Sequence, residues 1–186
     1  QLSVAEAGAS YQVVSEDEKQ PTVAYTAPAD KNAKKITVPA TITVGGITYK
    51  VESVAPDAFK NCKKLTSVKI SAGIQKIGKN AFSGCSKLSS VTIGKDVTEI
   101  GDGAFANCKA LKKITIPAAV TKIGKKAFSK CKALKTVTVK TKKLKTVGGS
   151  AFKGIAKKAV IKLPKAKKKA YTKLFKKKYD KTTKLK

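Results

Sequence analysis

The sequence predicts a β-rich solenoid, and three observations carry that prediction. A phenylalanine recurs every 23 residues at Phe59, Phe82, Phe105 and Phe128, and once more after 24 at Phe152. Five residues before each stands a β-branched residue (Val54, Ile77, Ile100, Ile123, Val147), followed in the last four copies by Gly78, Gly101, Gly124 and Gly148. An alternating apolar pair follows each copy: Val68/Ile70, Val91/Ile93, Ile114/Ile116, Val137/Val139 and Ile161/Leu163. A fixed period of this length marks a solenoid, in which each unit buries its apolar edge only against its neighbours.

Within one unit each element has its reason. Three residues after the first four phenylalanines come Cys62, Cys85, Cys108 and Cys131; six residues after them come Leu65, Leu88, Leu111 and Leu134. The Leu-x-x-Val-x-Ile stretch alternates like a short strand with its hydrophobic side inward. Successive copies of it stack as a parallel sheet about 4.8 Å apart. The Ile-Gly segment reads as a second short strand or an extended arc. Ala-Phe-x-x-Cys is apolar at helical spacing, so one helical turn per repeat is expected to return the chain. The alanine before each Phe stays small where adjacent turns press together.

The ends differ from the repeats. Residues 1–10 are small and polar and read as a disordered start. From Tyr11 to Lys50 the pattern is β, with Gly45-Gly46 as a two-residue hairpin signal. Residues 1–50 therefore read as a disordered start and an N-terminal β cap, residues 51–164 as five repeats, and residues 165–186 as a lysine-rich helical cap. The last repeat decays: Ile155 replaces the cysteine, Lys158 takes the leucine position, and one residue is inserted within 142–146. Beyond Pro164, Ala170, Tyr171, Leu174, Phe175 and Tyr179 fall on one face of a helix. That face suits a cap over the last repeat; the alternative is a helix lying on a membrane.

Charge is extreme: 41 basic residues, all lysine, against 11 acids, a formal net of +30. Residues 1–60 hold six lysines and seven acids, whereas residues 61–186 hold 35 and four. A field of this kind attracts polyanions. Specific nucleic-acid readout is not expected, because base recognition favours arginine and the phenylalanines are consumed by the core. Histidine is absent, so a Ser or Cys nucleophile lacks its usual base and no enzyme is expected. No apolar run approaches the ~20 residues of a membrane span. The chain starts at Gln1 without an initiator Met and reads as a processed or truncated piece whose signal peptide, if any, is not in view.

The unit L-x-x-V-x-I-P/G-x-x-V-x-x-I-G-x-x-A-F-x-x-C closely resembles the BspA-like (Treponema-type) leucine-rich repeat of bacterial surface and secreted proteins. Residues 51–164 match in phase at Leu, Ile-Gly, Ala-Phe and Cys. PADKNAKKITVPATITVGGITYKVESVAPDAF and AFKGIAKKAVIKLPKAKKKAYTKLFKKK look like the family's lead-in and ending. The resemblance implies an exported, non-enzymatic binding module concerned with adhesion. The expected fold is then a right-handed, β-rich (α/β-type) leucine-rich-repeat solenoid of five turns with a β-hairpin N-cap and a helical C-cap.

That fold gives the candidate residues definite places. Cys62, Cys85, Cys108 and Cys131 sit at one register, so their Cβ atoms point in parallel and they are expected as buried free thiols, neither disulfides nor metal ligands. Glu99 is expected to stack between Lys76 and Lys122, and Asp102 between Lys79 and Lys125, as two lysine–acid–lysine ladders. The candidate binding face is the solvent side of the Leu-x-x-Val-x-Ile strands: Ser67/Lys69, Ser90/Thr92, Lys113/Thr115, Thr136/Thr138 and Val160/Lys162. Expected partners are host or bacterial surface proteins, anionic glycans or cell-wall polymers, with no cofactor and the chain a monomer. The competing readings are a spacer within a larger surface protein and a non-specific polyanion binder.

Overall fold

The structure, a computed structural model, describes residues 2–186. The repeats wind as stacked coils, each contributing two short strands. The strands of the Leu-x-x-Val-x-Ile stretch include Ser67–Ile70, Ser90–Thr92, Lys113–Ile116, Thr136–Val139 and Val160–Lys162. The Ile-Gly strands Lys76–Ile77, Glu99–Ile100, Lys122–Ile123 and Thr146–Val147 stack in parallel on another side. Inside, Phe59, Phe82, Phe105, Phe128 and Phe152 form a column of near-parallel rings with centroids 4.8 to 5.3 Å apart. That spacing is the strand-to-strand distance of a sheet, so one aromatic per coil fills each layer of the core.

The column is longer than five rings. Tyr25 stacks on Phe59 at 5.1 Å, and Phe175 stacks on Phe152 at 5.6 Å. Seven coils follow, which we number one to seven from Tyr25 to Phe175. In coil one, Lys35–Val38 pairs in parallel with Ser67–Ile70. In coil seven, Lys184–Leu185 pairs in parallel with Val160–Lys162. Tyr25 is thus part of the core ladder and not merely of a cap. Tyr11 closes the column edge-on to Tyr25 at 82°.

The ends depart from expectation in two further ways. Residues 3–10, read as disordered, are strand: Ser3–Glu6 pairs antiparallel with Ala9–Ser15. The turn between them places Ala7 and Gly8 at φ 50° and 81°, the all-positive geometry that suits a two-residue hairpin. At the other end the α-helix covers only Lys168–Phe175 and buries Tyr171 and Phe175. Ala170 is exposed, and Tyr179 lies beyond the helix, bridged to Phe152.

The return past each phenylalanine is built from turns, not from a helical turn. Two positions per coil have positive φ, two residues before the ring (Asp57, Asn80, Gly103, Lys126, Ser150) and two after it (Asn61, Gly84, Asn107, Lys130, Gly154). A left-handed residue every fourth place ends any α-helix before it starts, and Asn, Asp and Gly tolerate it best. The amides released this way donate to the next coil, as in Phe82 N–H to Ala104 O at 2.7 Å and Gly84 N–H to Ala106 O at 2.9 Å. On the Ile-Gly side the bonds run toward the preceding coil, as in Gly101 N–H to Ile77 O at 2.8 Å. A Cβ on Gly101 would stand 2.7 Å from that same carbonyl oxygen. The Ile-Gly glycine therefore marks a close backbone approach between coils.

Candidate functional site

Three of the four thiols bond one coil to the next. Cys85, Cys108 and Cys131 donate from Sγ to the carbonyls of Phe59, Phe82 and Phe105 in the preceding coil, at 3.1, 3.2 and 3.0 Å. All four cysteines are free and buried. Burial pushes the Cys85 thiol up to about 12, and burial also raises Cys62. Cys108 is held well above its ordinary value by the neighbouring Cys131 thiol and by burial. Stacked and buried, the four thiols are poorly placed to act as nucleophiles or metal ligands. Among the described residues, no cluster of three or more Cys, Asp or Glu side chains gathers as a metal site would.

The acids bind the coils together in a way the register alone did not reveal. Asp102 accepts the backbone N–H of Lys125 at 2.8 Å, Asp96 that of Gly73 at 2.8 Å, and Asp180 that of Gly154 at 2.7 Å. The two expected lysine–acid–lysine ladders reduce to one pair, Glu99 with Lys122 at 3.4 Å. A carboxylate on a neighbouring amide makes a charge-assisted bond with fixed geometry, whereas an exposed ion pair contributes little.

The strand face expected to bind lies in two separate sheets. Ser67 and Lys69 stand beside Ser90 and Thr92 on coils two and three, with Lys35 and Thr37 of coil one completing that half. Lys113, Thr136 and Val160 form one row on coils four to six, and Thr115, Thr138 and Lys162 form the next. Strands Ser90–Thr92 and Lys113–Ile116 belong to different sheets, so Val91 and Ile114 are not ladder partners. Ser71 and Lys140 each donate an N–H to the preceding coil at this phase (to Val38 O and Ile116 O); Pro117 has none to give. Val91 is left half-buried beside the gap, while Val68, Ile114 and Val137 are buried.

Two cationic features lie off that face. From each cysteine (Ile155 in coil six) to the start of the next strand, the corner of coils two to six carries nine lysines and no acid. Lys63, Lys109 and Lys132 follow the cysteine, Lys64, Lys87 and Lys157 come one place later, and Lys112 and Lys135 follow the leucine; all are exposed. The second feature is an open cleft of about 490 Å³ beside the C-terminal helix, lined by Lys145, Lys173, Lys176, Lys177 and Lys178. The phase of lysines relative to each cysteine was legible in the sequence. The cleft was not, because it needs the helix folded back on Thr146 and Val147. A larger groove of about 790 Å³ over the early coils mixes Lys50 and Lys95 with Glu52 and Asp96, and its lining holds no serine or cysteine.

The profile of the BspA type leucine rich repeat region matches residues 52–181 in six copies. The chain belongs to the BspA-type leucine-rich repeat family. The matched range runs past residue 164, where the five repeats read from the sequence end, and Phe175 extends the ladder there. Three crystal structures illustrate the likeness. The T. pallidum leucine-rich repeat protein is 27% identical with a TM-score of 0.70, over 83% of this chain and 69% of that one. The pneumococcal vaccine antigen PcpA is 27% identical with a TM-score of 0.73, over 87% of this chain but only 44% of PcpA. A Bacteroides capillosus leucine-rich repeat protein is 25% identical with a TM-score of 0.59, over 80% of this chain and 98% of that one. No curated protein matches this BspA-type chain, and none of its described helices is long and apolar enough to cross a membrane.

Proposed function

We propose that this BspA-type protein is a non-catalytic interaction module, secreted or displayed at a bacterial surface, that adheres to surface proteins, anionic glycans or cell-wall polymers through its repeats. The observation that carries this reading is the rigid seven-ring ladder, which holds rows of exposed lysine and hydroxyl side chains at a fixed spacing of about 5 Å while the thiols and rings stay buried. The likeness to a pneumococcal antigen supports a surface setting. The buried thiols and the lack of histidine support a role without catalysis.

The test is binding of the purified chain to host matrix proteins, glycans and bacterial cell wall at physiological salt. Lys69→Gln, Lys113→Gln and Lys162→Gln on the sheet face are compared with three lysine substitutions in the C-terminal tail. Adhesion through the repeats predicts retained binding with the tail set and loss when repeat lysines are changed. Absence of binding to every surface would favour the spacer reading, in which the coils hold another part of a longer protein away from the cell.

A further inference from the structure

We propose that the lysine corner of coils four to six is a track for a linear anionic glycan, a polymer carrying sulfate or phosphate groups and no bases, which lies along the solenoid axis. This rests on the reading of the protein as a binding module and names the surface and the ligand chemistry. The corner of these three coils holds Lys109, Lys112, Lys132, Lys135, Lys157 and Lys158, together with Lys113 at its edge, all exposed. The rings beneath it rise 5.3 Å from coil to coil. Two or three cations therefore recur with every step, in a straight line set by the rigid core.

Among the described residues, no acid pairs with that line. After residue 60 there are four acids, and each is engaged elsewhere: Asp96, Asp102 and Asp180 on backbone amides and Glu99 on Lys122. Like charges stacked on adjacent strands repel one another and lower stability. A polyanion laid along the axis removes that repulsion, and it binds best where the cations are densest and acids are absent.

The chemistry of the corner also selects the class of ligand. A protein partner would want an aromatic or large apolar anchor, but the exposed large hydrophobic residues (Leu2, Val14 and Ile47) are all near the N-terminus. A single-stranded nucleic acid would want rings on which bases stack, and every phenylalanine is sealed in the ladder. What remains is a flexible set of ammonium groups, suited to a polymer read by charge alone.

The experiment measures affinity of the full chain for heparin, poly(glycerol phosphate) and single-stranded DNA over a range of salt. Lys109→Gln, Lys112→Gln, Lys132→Gln, Lys135→Gln and Lys157→Gln are combined in one variant. The control carries Lys145→Gln, Lys173→Gln, Lys176→Gln, Lys177→Gln and Lys178→Gln. The corner variant is expected to lose about tenfold or more in glycan affinity with a shallower salt dependence, and the control less than about threefold. Lysine-to-arginine changes at the same five corner positions are expected to keep binding, which separates lost charge from lost folding. The tighter of the two polymers identifies the source, sulfated glycan or phosphodiester polymer. Equal losses in the two variants, or DNA bound as tightly as either glycan through the same lysines, would overturn the track. Binding to a matrix protein but to neither glycan would overturn the track and leave the module standing; binding to nothing would remove both.

Discussion

At the scale of single residues, the cysteines explain why a small polarisable side chain recurs at one place in the coil. It fills the space beside the ring, and in three of the four coils its S–H donates to the carbonyl that the coil before presents. Serine would reproduce the bond but lose apolar contact, and valine would fill the space but leave the carbonyl only the backbone N–H of its own coil's cysteine. Two outcomes follow. A thiol reagent at mild alkaline pH is expected to label no cysteine in the native protein and four after unfolding; labelling in the native state would mean the wall opens. Stability is also expected to fall at high pH. Unfolded thiols ionise near 9.0, while folded Cys85 keeps its proton up to about 12. In that window the unfolded chain has released a proton that the folded chain retains. The stabilisation is complete below pH 9 and is lost as pH rises, by about 1.4 kcal/mol per pH unit for each such group. Burial likewise raises Tyr11 from 10.0 to about 12, which steepens the same decline. Urea titrations across this range check it, and a flat profile would contradict it.

At the scale of elements, the helix has a structural task that its amphipathic pattern does not express. The insertion in coil five leaves extra backbone groups between Lys140 and Leu144 that the regular ladder cannot serve. Tyr171 reaches from the helix and serves two of them: its hydroxyl accepts the Leu144 N–H at 3.0 Å and donates to Thr141 O at 2.9 Å. Thr141, fully buried, donates in turn to Val120 O. Tyr171→Phe keeps the ring and strands both backbone groups, so it is expected to cost about 2–4 kcal/mol. Chemical denaturation measures it, and a loss under about 0.5 kcal/mol would mean water replaces the hydroxyl. The sheet-face gap is a second case in which an element behaves unlike its neighbours: the Ile-Gly strands stay paired through coils three and four while the opposite strands part.

At the scale of the whole molecule, stability is that of a one-dimensional stack whose ends need covering. The N-terminal hairpin and Tyr11 close one end, and coil seven closes the other. Removing residues 165–186 would expose Phe152 and the free edge of Val160–Lys162, and with them an aromatic surface and unpaired amides. Loss of the Phe175 contact alone is worth about 3–5 kcal/mol. The truncated chain is expected to melt at least about 10 °C lower and to self-associate; an unchanged midpoint in thermal denaturation would show that coil six already ends the core.

The sequence alone determined what repeats. Side chains at one phase of a 23-residue period must meet their own kind in the next coil, so the phenylalanine column, the buried thiols and the stacked Ile-Gly segments could be read directly, whereas the close approach at the Ile-Gly glycine came from the structure. Phe175 was legible too, since it follows Phe152 by 23 residues, although its place in a helical pattern drew it toward a cap. Only the tertiary structure could assign Tyr25, which lies 34 residues before Phe59 because coil one also accommodates the Thr41–Val44 strand and its Gly45-Gly46 turn. It alone decided where the acids bond, since a carboxylate choosing between an exposed ammonium and a nearby amide is settled by distance across coils. And it alone decided which lysines share a surface, because Lys145 and Lys176 face one cleft only once the helix has turned back on coil six. Local periodicity sets contacts between equal positions; contacts between unequal positions depend on how the ends fold over the stack.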